Sequence, residues 1–270
     1  MKRITLVLIV ALMGIQMGFA QYTEKMSVIA LGDFTGRYAD LLRTSVTAAA
    51  AKCRISVTLV NWNEVKDTDM AASVNYILSG STGEITVKSE SFNGTTYYSG
   101  TLPFSLTMMD ATSGQVIDSR SNNRQRSSTD RQTAVNDCAK LDGVVSKEYN
   151  GLIYKNCSIR VPVMVIQDVT KRGIVETVVI NGGSDIGICD GLTFDVQMES
   201  EIAGKKIYKT IGEAKVKEIL SGEVTLCQIT KGGKEITKVL DDDITVVLTS
   251  NTKETFGEAI RNGLGDVIPN

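Results

Sequence analysis

Residues 157–248 contain six short strand-like segments with no helical pattern between them. Ile159, Val161, Val163 and Val165 occupy every second position, which is the period of a strand with one buried face. The later segments are IVETVVI, LTFDVQM, IGEAKVKEI, EVTLCQI and DITVVL, and glycine-rich turns join them. Several short strands within about ninety residues predict a small β-barrel.

The first half of the chain mixes strand and helix patterns. The run MSVIALGDF, residues 26–34, ends in a Gly-Asp turn signal and predicts a buried strand. A helix should follow, because apolar residues from Tyr38 to Cys53 recur at steps of three and four. The segment ISVTLVNW predicts a second strand, and Glu64–Ala72 has only a weak helical pattern.

Three strands and a closing helix are predicted next. The strands are NYILSGSTGEITVKSES, TTYYSGTLPFSLTMMDA and GQVIDSRSN, with tight turns at Asn93-Gly94 and Ser113-Gly114. Thr129 or Asp130 can cap a helix whose apolar face runs from Ala134 to Val145. The predicted fold class is α+β, with helices packed on a mixed or antiparallel sheet, followed by an SH3-like β-barrel domain.

The predicted domain organisation has four parts. A signal peptide is expected over residues 1–20, since Lys2 and Arg3 precede a short apolar run and Gly18-Phe19-Ala20 resembles a cleavage site. The mature chain would then begin at Gln21, as an exported protein of the periplasm, the outer membrane or the outside. An α/β domain over 21–153, a barrel domain over 154–250 and a short helix or tail over 251–270 should follow.

Five cysteines are expected to enter an oxidising compartment, where disulfides persist. Each cysteine can be a small buried side chain, and the odd number leaves at least one unpaired. A disulfide within one domain would join Cys53 and Cys138 or Cys189 and Cys227. The net charge of −2 argues against nucleic-acid binding, and no segment after residue 25 is apolar enough to span a membrane.

Catalytic, metal and cofactor sites are not expected. Histidine is absent, the cysteine spacings fit no zinc pattern, and no Ser-x-x-Lys or Gly-x-Ser-x-Gly motif occurs. The loop NGGSDIG lacks the Gly-Lys-Ser/Thr ending of a phosphate loop, so we interpret it as a barrel turn. Asp241-Asp242-Asp243 is interpreted as a solvated turn rather than a cation site.

The segment RSNNRQRSSTDR, residues 120–131, is the candidate binding site. It contains four arginines and one acidic residue, and it is predicted to be a polar loop after the second strand of a hairpin. Because guanidinium groups suit carboxylates and phosphates, it is also a candidate contact for an anion or a protein partner. The candidate residues are Arg120, Arg124, Arg126 and Arg131.

Short motifs in both halves carry a resemblance to families of the bacterial envelope. SVIALGDFTG, YILSGSTGEI and MDATSGQVIDS resemble the periplasmic α/β domain of CsgG-like curli-assembly proteins, TolB amino-terminal domains and LpoB-type activators of cell-wall synthases, over roughly residues 26–150. VVINGGSDIGICDGLTFDV and IGEAKVKEILSGEVTLCQI are similar to the carboxy-terminal barrel of the flagellar protein FlgT. The resemblance implies the α/β and barrel folds.

The sequence is consistent with two classes of function. The leading one is a non-enzymatic envelope protein that binds a protein partner, as an accessory or assembly factor of a secretion, surface-structure or cell-wall system. It could also form a homo-oligomer. The alternative is a periplasmic receptor that binds a small molecule or a glycan in a cleft between the domains.

Overall fold

The computed structural model describes residues 25–202, 205–242 and 244–251. The expected signal peptide and the start at Gln21 lie outside these residues. So do Asp243 and the expected carboxy-terminal helix or tail from residue 252 onward. No helix in the described ranges is both long and apolar enough to cross a membrane.

Residues 28–156 form a mixed sheet covered by helices. The strands are β1 (Val28–Thr35), β2 (Thr58–Asn61), β3 (Tyr76–Thr82), β4 (Thr86–Phe92), β5 (Thr95–Asp110) and β6 (Val116–Ser128). The helices are α1 (Ala39–Ala50), α2 (Trp62–Val65), α3 (Arg131–Cys138) and α4 (Asp142–Asn156), and Asp69–Ser73 is a 3-10 turn.

The sheet order places β6 at an edge. The order is β2-β1-β3-β5-β4, and β6 pairs with β5 on its other side. β1 is parallel to β2 and β3, whereas β5 is antiparallel to β3, β4 and β6. β5 is long enough to pair with β3 through its second half and with β4 through its first. The predicted hairpin therefore consists of one central strand and one edge strand.

Alternation along the strands sends two sets of apolar side chains to opposite faces. Ile29 and Leu78 belong to the large core under α1 and α4, whereas Ala30 and Ile77 belong to a small second core with Val65 of α2. The small core covers β1 and β3 and is joined by Met109 near the end of β5. The rest of that outer face, along β5 and β6, carries mostly polar side chains.

Three elements have bounds in the structure that differ from the predicted ones. The first predicted strand of the trio divides into β3 and β4 around Gly83, whose N–H bonds the Pro103 carbonyl at 2.9 Å. The weak pattern at Glu64–Ala72 is a four-residue helix followed by the 3-10 turn. The closing helix is two helices, and the Asp130 carboxylate caps the first by accepting from the Thr133 N–H at 2.7 Å.

The second half is a closed six-stranded barrel, which confirms the predicted fold class. Its strands are β7 (Arg160–Val169), β8 (Val175–Ile180), β9 (Thr193–Ile202), β10 (Lys205–Ile219), β11 (Thr225–Lys231) and β12 (Val246–Ser250). They close in the order β10-β11-β8-β7-β12-β9. One helix, α5 (Gly233–Asp241), packs beside the barrel and was not predicted.

Backbone contacts join the sheet to the barrel along a seam. The Ser56 N–H bonds the Gly187 carbonyl at 3.0 Å, and the Met26 N–H bonds the Asp185 carbonyl at 3.1 Å. The large apolar core continues from the sheet into the barrel. The loop NGGSDIG is thus a turn of the barrel, and it also contacts the sheet; independent folding of residues 21–153 and 154–250 stays a prediction.

Candidate functional site: the β6 edge

The candidate arginines lie in regular structure rather than in a loop. Arg120, Arg124 and Arg126 belong to β6, which extends to Ser128, and Arg131 is the first residue of α3. The prediction of a polar loop is wrong because β6 pairs with β5 without interruption from Asp118 to Ser128. The role of these arginines in partner binding stays a prediction.

Register decides where these side chains point. Arg120 pairs with Leu106 and Arg124 with Leu102, and both leucines lie in the core under the helices. Since paired residues in an antiparallel sheet share a face, the even-numbered residues of β6 face the helix layer. Arg124 is accordingly buried, at 8% exposure.

Arg120 meets the surface of α4. Its Nη2 donates to the carbonyl of Gly151 at 3.1 Å, and its guanidinium lies 3.9 Å from carboxylate oxygens of Glu148 and Asp118. A Cβ on Gly151 would lie 2.3 Å from Arg120 Nη1, so a side chain there would require the guanidinium to move. Arg120 is thus an internal contact between the edge strand and α4.

Asp118 and Asn122 extend this contact on either side of Arg120. The Asp118 carboxylate accepts from Lys155 Nζ at 3.1 Å and Asn156 Nδ2 at 3.4 Å, and Asn122 Nδ2 donates to Glu148 at 2.7 Å. Partial burial works to raise the pKa of Asp118, but the Lys155 and Asn156 hydrogen bonds and the Lys155 charge outweigh it and hold the pKa below its ordinary value.

The opposite side of the β6 backbone is the sheet edge. The Ser119 N–H donates to Asp118 Oδ1 at 2.9 Å and the Asn123 N–H donates to Asn122 Oδ1 at 2.7 Å, so neither bonds β5. Antiparallel strands alternate the direction of their backbone groups. The N–H and C=O groups of the odd-numbered residues from Ser119 to Ser127 therefore point away from the sheet, and no strand in the described ranges pairs with them.

The outer face beside this edge is a hydroxyl-rich surface. Ser99 and Ser127 hydroxyls lie 2.7 Å apart, and those of Ser81 and Ser105 lie 2.8 Å apart. A groove of about 440 Å³ opens on this face where β4 diverges from β3. Its walls include Ser81, Pro103, Ser105, Ser121 and Asn123.

A free thiol is present at each of the five cysteines, so neither expected disulfide is formed. Cys138 packs against Gly100 of β5, whereas Cys53 lies at the end of α1 near Tyr154 and Cys189. Cys189 donates to the Arg54 carbonyl at the seam, and Cys227 lies in the core. The members of each expected pair thus have different surroundings.

Burial makes the interior thiols weak nucleophiles. It raises the pKa of Cys53 and of Cys157 to about 11 and that of Cys227 to about 12. In the part of the chain that the structure describes, no cluster of three or more His, Cys, Asp and Glu side chains is arranged to hold a metal ion.

Sequence reasoning missed Asp118, Asn122, Glu148 and Lys155 as partners of the arginines. The predicted strand GQVIDSRSN ends at Asn122, although Arg124 and Arg126 continue the every-second-residue pattern of Asp118, Arg120 and Asn122. That is the period of a strand. The continuation to Ser128 was not predicted because neither face of the strand is apolar.

Comparisons with known proteins found weak likenesses in solved structures. A comparison with family models found no match, and a comparison with curated proteins found none. The chain is similar to a Xanthomonas campestris protein of family DUF330 (TM-score 0.34, 12% identity, covering 48% of this chain and 82% of that one). It is also similar to a minor lipoprotein from Acinetobacter baumannii, with a TM-score of 0.32 and 15% identity, covering 47% of this chain and 91% of that one.

A third likeness is to the PelC dodecamer from Paraburkholderia phytofirmans, with a TM-score of 0.29 and 16% identity over 44% of this chain and 85% of that one. At TM-scores this low, none of the three likenesses assigns a family or a function.

Proposed function

We propose that this chain is a non-enzymatic, exported protein of the cell envelope that binds a protein partner through the β6 edge. The observation that carries the proposal is an edge strand of thirteen residues, Val116–Ser128, with outward backbone groups at alternate positions. Such an edge is a template to which an extended segment of another protein can add. The resemblance of the first half to CsgG-like, TolB and LpoB-type domains supports the envelope setting and an accessory or assembly role.

Proline at Ser121 tests the edge. The Ser121 N–H points away from β5, so Ser121→Pro removes a donor for an added strand without removing a hydrogen bond of the sheet. Ser121→Ala is the matched control, since it keeps the N–H and loses only the hydroxyl. We expect Ser121→Pro to abolish capture of a stoichiometric envelope protein and Ser121→Ala to retain it.

Asn122→Pro tests the pairing register of β6, on which the choice of Ser121 depends. The Asn122 N–H faces β5, so Asn122→Pro removes a hydrogen bond of the sheet and should lower the free energy of unfolding more than Ser121→Pro does. Equal capture by Ser121→Pro and the unsubstituted protein, with both folded, would contradict the proposal.

The groove of the outer face favours a second candidate function, a receptor for a glycan or another small polar molecule. Hydroxyl and amide groups of Ser81, Ser105 and Asn123 can bond a sugar, and the Pro103 ring offers an apolar wall. Ser121→Ala separates the two candidate functions. A glycan receptor would bind its ligand more weakly in this variant, whereas a protein that binds a partner strand at the β6 edge would keep its affinity.

A further inference from the structure

The hairpin between β4 and β5 reverses direction within two residues, Asn93 and Gly94. Phe92 pairs with Thr95 across this turn. Asn93 has a φ of +48° and Gly94 a φ of +78°, which are the left-handed values that a two-residue hairpin turn requires. Within the described ranges, Asn93 is the only residue other than glycine with a positive φ. The turn therefore depends on the Asn-Gly pair itself.

This turn lies in open solvent. Phe92, Asn93, Gly94 and Thr95 are all exposed, and a Cβ on Gly94 would meet nothing within 4 Å. The Gly94 N–H lies between the two paired residues and outside the β4–β5 ladder. Neither packing nor a ladder hydrogen bond therefore restrains the approach of the Gly94 nitrogen to the Asn93 side chain.

The sequence contains three other Asn-Gly pairs, and two of them are packed. Asn150-Gly151 lies inside α4, where the helical hydrogen bonds hold the backbone N–H groups. Asn181-Gly182 follows β8, and a Cβ on its buried glycine would lie 2.6 Å from Ile186 and 2.8 Å from Val161. Asn262-Gly263 lies outside the described residues. Asn93-Gly94 is thus the one exposed pair among the three that the structure describes.

We infer that Asn93 is a site of spontaneous deamidation. The Gly94 backbone nitrogen attacks Cγ of Asn93, so a C–N bond forms and the Cγ–Nδ2 bond breaks. The proton of the attacking nitrogen leaves with Nδ2 as ammonia, and a succinimide ring remains. Water then opens this ring at either carbonyl to give aspartate or isoaspartate. Glycine favours the attack because it has no side chain beside its nitrogen. The inference is independent of partner binding at the β6 edge.

The isoaspartate product should change the hairpin. Both products add a negative charge at the tip, but isoaspartate also adds a methylene group to the main chain. A two-residue turn fits only a normal backbone, so this product should separate Phe92 from Thr95. Since β5 is the only strand in the described ranges that pairs with β4, the end of β4 should then detach.

Peptide mapping by mass spectrometry of the mature chain, aged at mildly alkaline pH, tests the site. In the folded protein, Asn93 should deamidate faster than Asn150 and Asn181 by at least about ten-fold, because those two residues react only after local opening of a packed element. In urea the three rates should become similar, since the three pairs then share an unpacked environment. A smaller ratio in the folded protein, or a ratio that persists in urea, would overturn the inference.

Asn93→Asp separates the added charge from the longer backbone. Aspartate tolerates a positive φ, so this variant carries the charge with an unchanged main chain. We expect the Thr95 amide to exchange its hydrogen as slowly in Asn93→Asp as in the fresh protein, and faster in the isoaspartate form purified from the aged protein. Equal exchange in the variant and the isoaspartate form would overturn the detachment of β4.

Discussion

Gly187 offers a direct test of the contact between the sheet and the barrel. Its φ is +92°, and a Cβ there would lie 2.4 Å from the Ser56 carbonyl oxygen, across the seam. Gly173, also in the second half, has a φ of +74°, and a Cβ there would meet nothing within 4 Å. Alanine at either position incurs the left-handed strain of about 1–2 kcal/mol, but only Gly187→Ala must also displace backbone.

The difference in the free energy of unfolding between the two variants therefore measures how tightly the sheet and the barrel pack at the seam. Gly187→Ala should lose the Ser56–Gly187 hydrogen bond, at about 1 kcal/mol, and should also incur the cost of displaced backbone, at about 1–3 kcal/mol. We expect it to be less stable than Gly173→Ala by about 2 kcal/mol or more, which corresponds to roughly 4–8 °C in Tm.

Urea unfolding followed by circular dichroism gives both free energies. Equal losses in the two variants would refute a tightly packed seam and would favour the prediction that residues 21–153 and 154–250 fold independently. A larger loss in Gly187→Ala than in Gly173→Ala, with one cooperative transition, would instead indicate that the two halves unfold together.

Three further predictions concern charge, core and thiols. The depressed pKa of Asp118 means that its contribution to stability is present above about pH 3.8 and is lost as pH falls through the lower folded value. Asp118→Asn should therefore destabilise the chain more at pH 6 than at pH 2 in urea melts. Leu106→Ala, at a fully buried position, should cost about 2–5 kcal/mol, whereas Val116→Ala on the exposed end of β6 should stay within about 0.5 kcal/mol. In the reduced, folded protein, maleimide at pH 7 should leave Cys53 and Cys227 unlabelled, and denaturant should make both reactive in mass spectrometry, because burial raises their pKa.

The barrel could be predicted from the sequence because its strands have one buried face. Each of the six segments became a strand, and the side chains that alternate inward, such as Val161, Val178, Val196 and Leu248, lie in the core. The polar continuations of β9 and β10 toward their shared hairpin were not predicted, since both faces there are solvated. α5 was missed although Ile236, Val239 and Leu240 occupy positions i, i+3 and i+4 of one helical face, because the segment is only nine residues long and lies among strands.

The closing helix was predicted as one because its apolar residues keep helical spacing across a break. Ala134, Cys138, Leu141 and Val145 are all buried, at steps of four, three and four. The chain nevertheless ends α3 at Cys138 and begins α4 at Asp142, whose carboxylate accepts from the Ser45 hydroxyl of α1 at 2.6 Å. The start of α4 thus coincides with a tertiary contact to α1. A local sequence pattern contains no information about such a contact.

Stability alone does not explain why β6 carries polar and charged side chains at positions 118, 120 and 122. Apolar residues at positions 118, 120 and 122 would pack against α4 without desolvating charges, and buried ion pairs are often no better than such a contact. An apolar row would, however, remove the oxygens that bond the Ser119 and Asn123 N–H groups. It would leave an open edge strand with apolar side chains, which is the pattern that aggregates. The side-chain oxygens of Asp118 and Asn122 thus keep two donors of the edge bonded, which an apolar row could not do.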